Sequence, residues 1–158
     1  MLITGTHQFE KHMKVLRTLN QNVQDGFKVL FRLNEKDNID SIFQHSLESA
    51  KLNKRIKIGN LRLYIDTINK RSWREEKYNV CILYPVDLIC RKKDEQRKEI
   101  LDDLIRNAVH KVFIVSWTDS YDYSWLDEFG IDRTVVFDDE EEGPAYHGIV
   151  IEHINRFK

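Results

Sequence analysis

Gly5, Glu10, Lys11 and His12 stand where a phosphate-binding loop of the pattern G-x-x-x-x-G-K-[S/T] has glycine, glycine, lysine and a hydroxyl residue. In that pattern the second glycine lets the backbone wrap a phosphate, the lysine meets the outer phosphates, and the hydroxyl holds Mg²⁺. Gly5 and Lys11 are in register as phosphate-binding residues, whereas Glu10 and His12 are not. A carboxylate with a Cβ at the glycine position opposes both the turn and the anion, so Glu10 is expected to limit anion binding. The competing structural reading gives Gly5 a turn, Thr6 a helix cap, Glu10 a place in the first helical turn where the dipole favours an acid, and Lys11 to water.

Other chemistry-bearing residues lie farther along the chain. Asp87 follows an apolar run ending near Tyr84, with Pro85 intervening, and Thr118 and Asp119 follow the next apolar run. Trp117, Tyr121 and Tyr123, interleaved with Asp119 and Asp122, form an aromatic stretch suited to anchoring a protein partner. Trp125 is expected to pack inward with Leu126 and Phe129. Lys51, Lys54, Arg55 and Lys57, with Lys70, Arg71, Trp73 and Arg74, offer cations and one ring to nucleic acid. The acidic run from Asp138 to Glu142 lacks the spaced ligands and glycine of a calcium loop, and the six histidines show no metal-binding spacing, so no metal site is expected. No G-x-S-x-G elbow marks a hydrolase nucleophile.

Placed on a strand, a loop and a helix, the N-terminal segment resembles the P-loop NTPase superfamily, especially its compact RecA-type or kinase-type members, over roughly the first ~90 residues. The resemblance implies phosphate contact by Lys11, help from Asp87 in holding Mg²⁺ or its water, a polar sensor at Thr118 and Asp119, and ATP or GTP as ligand. Glu10 and His12 depart from the pattern and weigh against turnover. A second alternative is a flavodoxin-like fold, with Thr4, Gly5 and Thr6 presenting hydroxyls and amides to a mononucleotide phosphate or flavin, and the aromatics after Ser116 supplying a ring stack.

The elements that must position these residues alternate. Leu2-Ile3 opens a strand, and Phe9, Met13, Leu16 and Val23 recur at helical spacing until Asp25-Gly26. Lys28–Leu33 reads as strand, and Ile39, Ile42, Phe43 and Leu47 as a helix behind Asp37 or Asn38. Arg55–Ile58 reads as a short edge strand blunted by cations. Leu61, Tyr64, Ile65 and Ile68 fit one helical face behind an Asn60 cap. Asn79–Tyr84 is a nearly continuous apolar run, the mark of a central strand buried on both faces. A helix through Ile100–Ala108, a strand Lys111–Val115, a short helix stopped by Gly130 and a strand Arg133–Phe137 follow. The tail fits strand and helix equally well. The alternation predicts a three-layer α/β/α sandwich with a mainly parallel sheet, in which Val80–Leu83 and Phe113–Val115 are neighbouring strands.

With 158 residues, 41% hydrophobic and 32% charged, the chain fits one α/β domain spanning residues 1–158. It shows no apolar run of membrane-spanning length and no cationic leader, and its two cysteines form no scaffold, which predicts a cytoplasmic protein with reduced thiols. The net charge of −1 conceals an asymmetry: through Lys93 there are 18 Lys+Arg against 10 Asp+Glu, and from Asp94 onward 7 against 16. Such a split can steer partners. The expected function is a small interaction or regulatory module on a nucleotide-binding-like fold, without turnover and with a protein partner. The alternatives are a divergent P-loop NTPase or nucleotide-dependent transferase, and a flavodoxin-like mononucleotide binder.

Overall fold

The computed structural model describes residues 1–8, 10–35, 39–43, 54–69, 76–138 and 143–156. Seven strands form one sheet: β1 (Leu2–Thr4), β2 (Phe27–Leu33), β3 (Arg55–Ile58), β4 (Leu61–Thr67), β5 (Tyr78–Leu83), β6 (Ala108–Val115) and β7 (Thr134–Val136), in the order β3-β4-β2-β5-β6-β1-β7. Every pairing is parallel except that of β3 with β4, which is antiparallel. Among the described residues five helices accompany them: α1 (Lys11–Asn22), α2 (Ile39–Ile42), α3 (Asp87–Cys90), α4 (Asp94–Asn107) and α5 (Pro144–Arg156), with a 3-10 helix over Ser124–Phe129. The predicted α/β sandwich with a mainly parallel sheet is the observed architecture.

Strand residues alternate between two faces, and each face has its own core. Val29, Phe31, Ile82 and Val115 pack with Val15 and Leu16 of α1 and with Phe43 just beyond α2. Leu30, Cys81, Leu83 and Ile114 pack on the opposite face with Ile100, Leu101 and Leu104 of α4 and with Leu126. The expected neighbours pair in parallel, with Ile82 opposite Phe113 and Leu83 opposite Ile114. Gly130 ends the 3-10 helix in the left-handed conformation at φ 68°, as a glycine stop should.

Two expectations about elements are corrected or resolved. Leu61–Thr67 is strand β4, paired residue for residue with β2 from Phe27↔Leu61 to Leu33↔Thr67. Both of its faces are covered, so its apolar residues follow no period of two, and the run matched a helix by chance. Asn60 is no helix cap; its side-chain amide donates to the carbonyls of Asn20 (3.1 Å) and Val23 (3.0 Å), tying the β3–β4 turn to the end of α1. The ambiguous tail is helix α5. The positions of Phe9, Leu47, Asp37 and Asn38 lie outside the described residues.

The strand order also separates two of the alternatives. A flavodoxin-like sheet places the first strand beside the second and third. Here β1 lies between β6 and β7, three places from β2.

Candidate functional site

The helix after β1 packs on one face, whereas the segments after β5 and β6 pack on the other. Connections leaving β1 and its neighbour β6 on opposite faces open a crevice at the carboxyl ends of the strands, the place where open α/β sheets bind ligands. Residues 5–8, 10–11, 116–123 and 137–138 meet there, with Asp87 of the first turn of α3 beside them.

Gly5 follows β1 at φ 112°, and a Cβ added to it would lie 2.0 Å from the Phe137 carbonyl oxygen. Only glycine fits this approach. The chain then presents three successive amides, and each has a protein acceptor. Gly5 N–H donates to Asp119 Oδ2, Thr6 N–H to Asp138 Oδ1 at 2.9 Å, and His7 N–H to the Phe137 carbonyl at 3.2 Å. The Ser116 hydroxyl donates to the other Asp119 oxygen, and Asp119 itself is held at φ 54°. The Thr6 hydroxyl lies 2.9 Å from His147 Nδ1 of α5, and the N-cap position of α1 is Glu10 rather than Thr6.

Lys11 opens α1 and is 1% exposed, which corrects the expectation that it faces water. Its ammonium donates to the Gly5 carbonyl and to the Trp117 carbonyl at 3.0 Å. Burial pulls its pKa below the ordinary lysine value, against the opposing charges of Asp119, Asp87 and Asp138. Burial likewise raises Asp119, opposed by the Ser116 hydrogen bond and by Lys11. Glu10 does not enter the cradle: its carboxylate pairs with Arg17 at 2.7 Å on the surface. The acids that fill the turn are Asp119 and Asp138, both supplied from more than 100 residues away.

Asp87 sits in the first turn of α3 rather than at a strand end, with Tyr84, Pro85 and Val86 between it and β5. Four donors converge on its carboxylate: Trp117 N–H at 2.6 Å, Thr118 N–H at 3.0 Å, the Thr118 hydroxyl at 2.9 Å and the Tyr123 hydroxyl at 3.3 Å. A carboxylate so engaged is an anchor for the 117–123 segment. Its lone pairs are directed at N–H and O–H groups, so in this arrangement the donor set does not fit a Mg²⁺ ion. Thr118, named as a sensor, is part of the same anchor.

Of the aromatics expected to face a partner, Trp117 is 43% exposed. Tyr121 is half-buried beneath the Arg91 guanidinium, 5.3 Å from the ring centroid. Tyr123 belongs to the Asp87 anchor, and burial raises its hydroxyl pKa. Trp125 packs edge-on against Phe129, as expected. Asp122 caps Ser124 instead of lining the loop with charge, since its oxygens accept the Ser124 N–H and hydroxyl at 2.9 Å each. Lys54, Arg55 and Lys57 are exposed on or beside edge strand β3. Lys51, Lys70, Arg71, Trp73, Arg74 and the acidic residues 139–142 lie outside the described residues. Cys81 and Cys90 are free thiols, raised by burial to about 12 and about 11. No described helix is long and apolar enough to cross a membrane.

Sequence reasoning missed Asp138 and His147 as members of the loop cluster. The Asp138–Glu142 run hid the first behind a generic acidic-loop reading, and a C-terminal pattern that fits strand and helix equally hid the second.

No family model matches the chain, and no curated protein matches it. Among solved structures it is similar to the large terminase of bacteriophage HK97, at 12% identity and a TM-score of 0.51, over 93% of this chain and 34% of that one. The chain thus spans about a third of the terminase's length. Likeness at this identity concerns the path of the backbone, and what it establishes is the α/β fold described above.

Proposed function

We propose that this chain is a nucleotide-binding-like α/β module that acts through protein contacts, without nucleotide turnover. The observation that carries the reading is the filled cradle. The amides that would meet a phosphate already hold Asp119, Asp138 and the Phe137 carbonyl, and Lys11 is spent on two backbone carbonyls. Hydrogen bonds of this charged kind contribute about 1.5–3 kcal/mol each, and an incoming anion must replace them. The local charge opposes it as well, since Asp87, Asp119 and Asp138 surround the single ammonium of Lys11. The exposed Trp117, held in place by Asp87 beneath it, supplies an anchor for a protein partner.

A divergent NTPase or nucleotide-dependent transferase is the second reading, and one observation favours it. Lys11 and Asp87 bind the two ends of the same residue, Trp117, through its carbonyl and its N–H. The first prediction separates the two. The wild-type protein should show no thermal stabilisation by ATP or GTP with Mg²⁺ and no phosphate release. Asp119→Asn combined with Asp138→Asn should acquire measurable binding of inorganic phosphate by calorimetry, and adding Lys11→Ala should remove it. Stabilisation of the wild type by ATP that disappears in Lys11→Ala would overturn the reading in favour of the enzyme.

A further inference from the structure

α1 covers only part of its face of the sheet. Toward the β7 edge, the flank of this helix and the exposed strand faces enclose a groove of about 440 Å³. Its walls are Val15 and Leu19 of α1, Ile3 of β1, Phe113 of β6, Val135 of β7 and Phe137. The volume lies within the range of small-molecule sites. Among the described residues no Asp or Glu lines it, while three lysines do: Lys11, whose ammonium is held by the Gly5 and Trp117 carbonyls, Lys14 and Lys111. Lys111 is paired with Asp132 at 2.8 Å, whereas Lys14 Nζ sits 3.6 Å above the centroid of the Phe137 ring. Among the described residues no carboxylate pairs with Lys14.

We infer that this groove binds an amphipathic monocarboxylate of the medium-chain fatty-acid class, with the acyl tail against Ile3, Phe113, Val135 and Phe137 and the carboxylate at Lys14. Charge and polarity select this class. One ammonium without a carboxylate partner, beside one already neutralised, suits a single negative charge and gives a polyphosphate too little. A peptide would bury amides against a lining whose neutral polar side chain is Thr18 alone, and unpaired amides are costly there. An acyl tail carries no such groups, and its burial contributes about 0.8 kcal/mol per methylene. The groove borders the carboxylate-filled turn through Lys11 and Phe137, but the Lys11 ammonium is directed at the Gly5 and Trp117 carbonyls of that turn, so binding at Lys14 does not require the turn to accept a phosphate.

The test is calorimetric titration of the full chain with decanoate below its micelle concentration, beside decan-1-ol and decylammonium. Decanoate should bind with one site per chain, decan-1-ol roughly tenfold more weakly, as expected for loss of one charge-assisted contact, and decylammonium not at all. Lys14→Glu should abolish the preference for decanoate over the alcohol. Val135→Trp, which fills the groove, should abolish binding of both. If that variant loses its cooperative thermal transition, Leu19→Arg on the partly exposed wall of α1 serves in its place. Equal binding of decanoate and decylammonium, or wild-type affinity in the groove-filling variant, would overturn the inference. So would sedimentation showing that this face joins two copies of the chain and that decanoate does not compete.

Discussion

His12 shows how one side chain can carry pH dependence without touching a ligand. Its ring stacks on Tyr84 with centroids 4.1 Å apart, and Nε2 donates to the Ile42 carbonyl at 2.7 Å, linking α1 to α2. Burial lowers its pKa from 6.5 to about 4. The unfolded chain therefore takes up a proton that the folded chain refuses between those values, and stability rises with pH across that window. This residue alone should remove about 3 kcal/mol of stability between pH 7 and pH 4. Urea denaturation over that range should show a shallower pH slope in His12→Phe than in the wild type, although the variant is less stable at pH 7 through loss of the Ile42 hydrogen bond. Parallel slopes would contradict the assignment. Gly5 makes a second prediction at this scale. With its positive φ and the Phe137 carbonyl in the space of a Cβ, Gly5→Ala should lower stability by about 3 kcal/mol or more, read as a fall in the urea midpoint.

The 117–123 segment gains its shape from α3 rather than from its own sequence. Asp87 gathers Trp117, Thr118 and Tyr123, and Arg91 one turn on covers Tyr121. Two classes of aromatic result, and their substitutions should separate. Tyr123→Phe removes a donor to Asp87 and should cost about 1 kcal/mol of stability. Trp117→Ala, at an exposed position, should stay within about 0.5 kcal/mol of the wild type. Urea unfolding of both variants checks the division. The contact role proposed for Trp117 requires it, because a side chain that stabilises the isolated fold cannot report a partner cleanly. Tyr123, read from the sequence as a contact residue, is the counterexample: aromatic density was legible, but which ring faces water depends on a carboxylate 36 residues away.

Across the molecule, a buried ionic cluster ties two strands of the sheet to the helix on one of its faces. Arg32 of β2 is fully buried, with Nε and Nη2 each 2.9 Å from an oxygen of Asp66 on β4 and Nη1 2.5 Å from Asp103 on α4. Burial opposes the guanidinium charge, and the hydrogen bonds and charges of the two carboxylates outweigh it. Arg32→Met strands two buried carboxylates and should destabilise the whole sheet by about 3–5 kcal/mol at neutral pH. Urea denaturation of the variant at neutral pH checks the magnitude, and a loss below about 1 kcal/mol would contradict the role of the ion pairs. Charge is also distributed along the sheet: Arg55 and Lys57 lie on outermost strand β3, while Asp127, Glu128 and Asp132 precede β7 at the opposite edge. Part of this charge is offset locally, Lys57 by Asp25 and Asp132 by Lys111 and the N-terminal ammonium.

Continuous apolar runs such as Val80–Leu83, and the helical spacing of Ile100, Leu101 and Leu104, sufficed to establish an α/β chain with a mainly parallel sheet. Local burial patterns are written in consecutive residues, so these elements were legible before any folding. The same holds for the Gly5–Lys11 spacing and for Gly130 as a stop. Leu61–Thr67 was not legible, because a strand covered on both faces loses its alternation and mimics one face of a helix. The candidate site depended still more on tertiary contact. The partners of the Gly5 and Thr6 amides lie 114 and 132 residues downstream, and the Trp117 carbonyl that holds Lys11 lies 106 residues away. Nothing in the N-terminal segment encodes a hydrogen bond to a carboxylate that only the return of β6 and β7 to either side of β1 brings within reach. The lysine of a phosphate-loop pattern was therefore readable from sequence, whereas the acids that fill its cradle became identifiable only when the sheet closed around it.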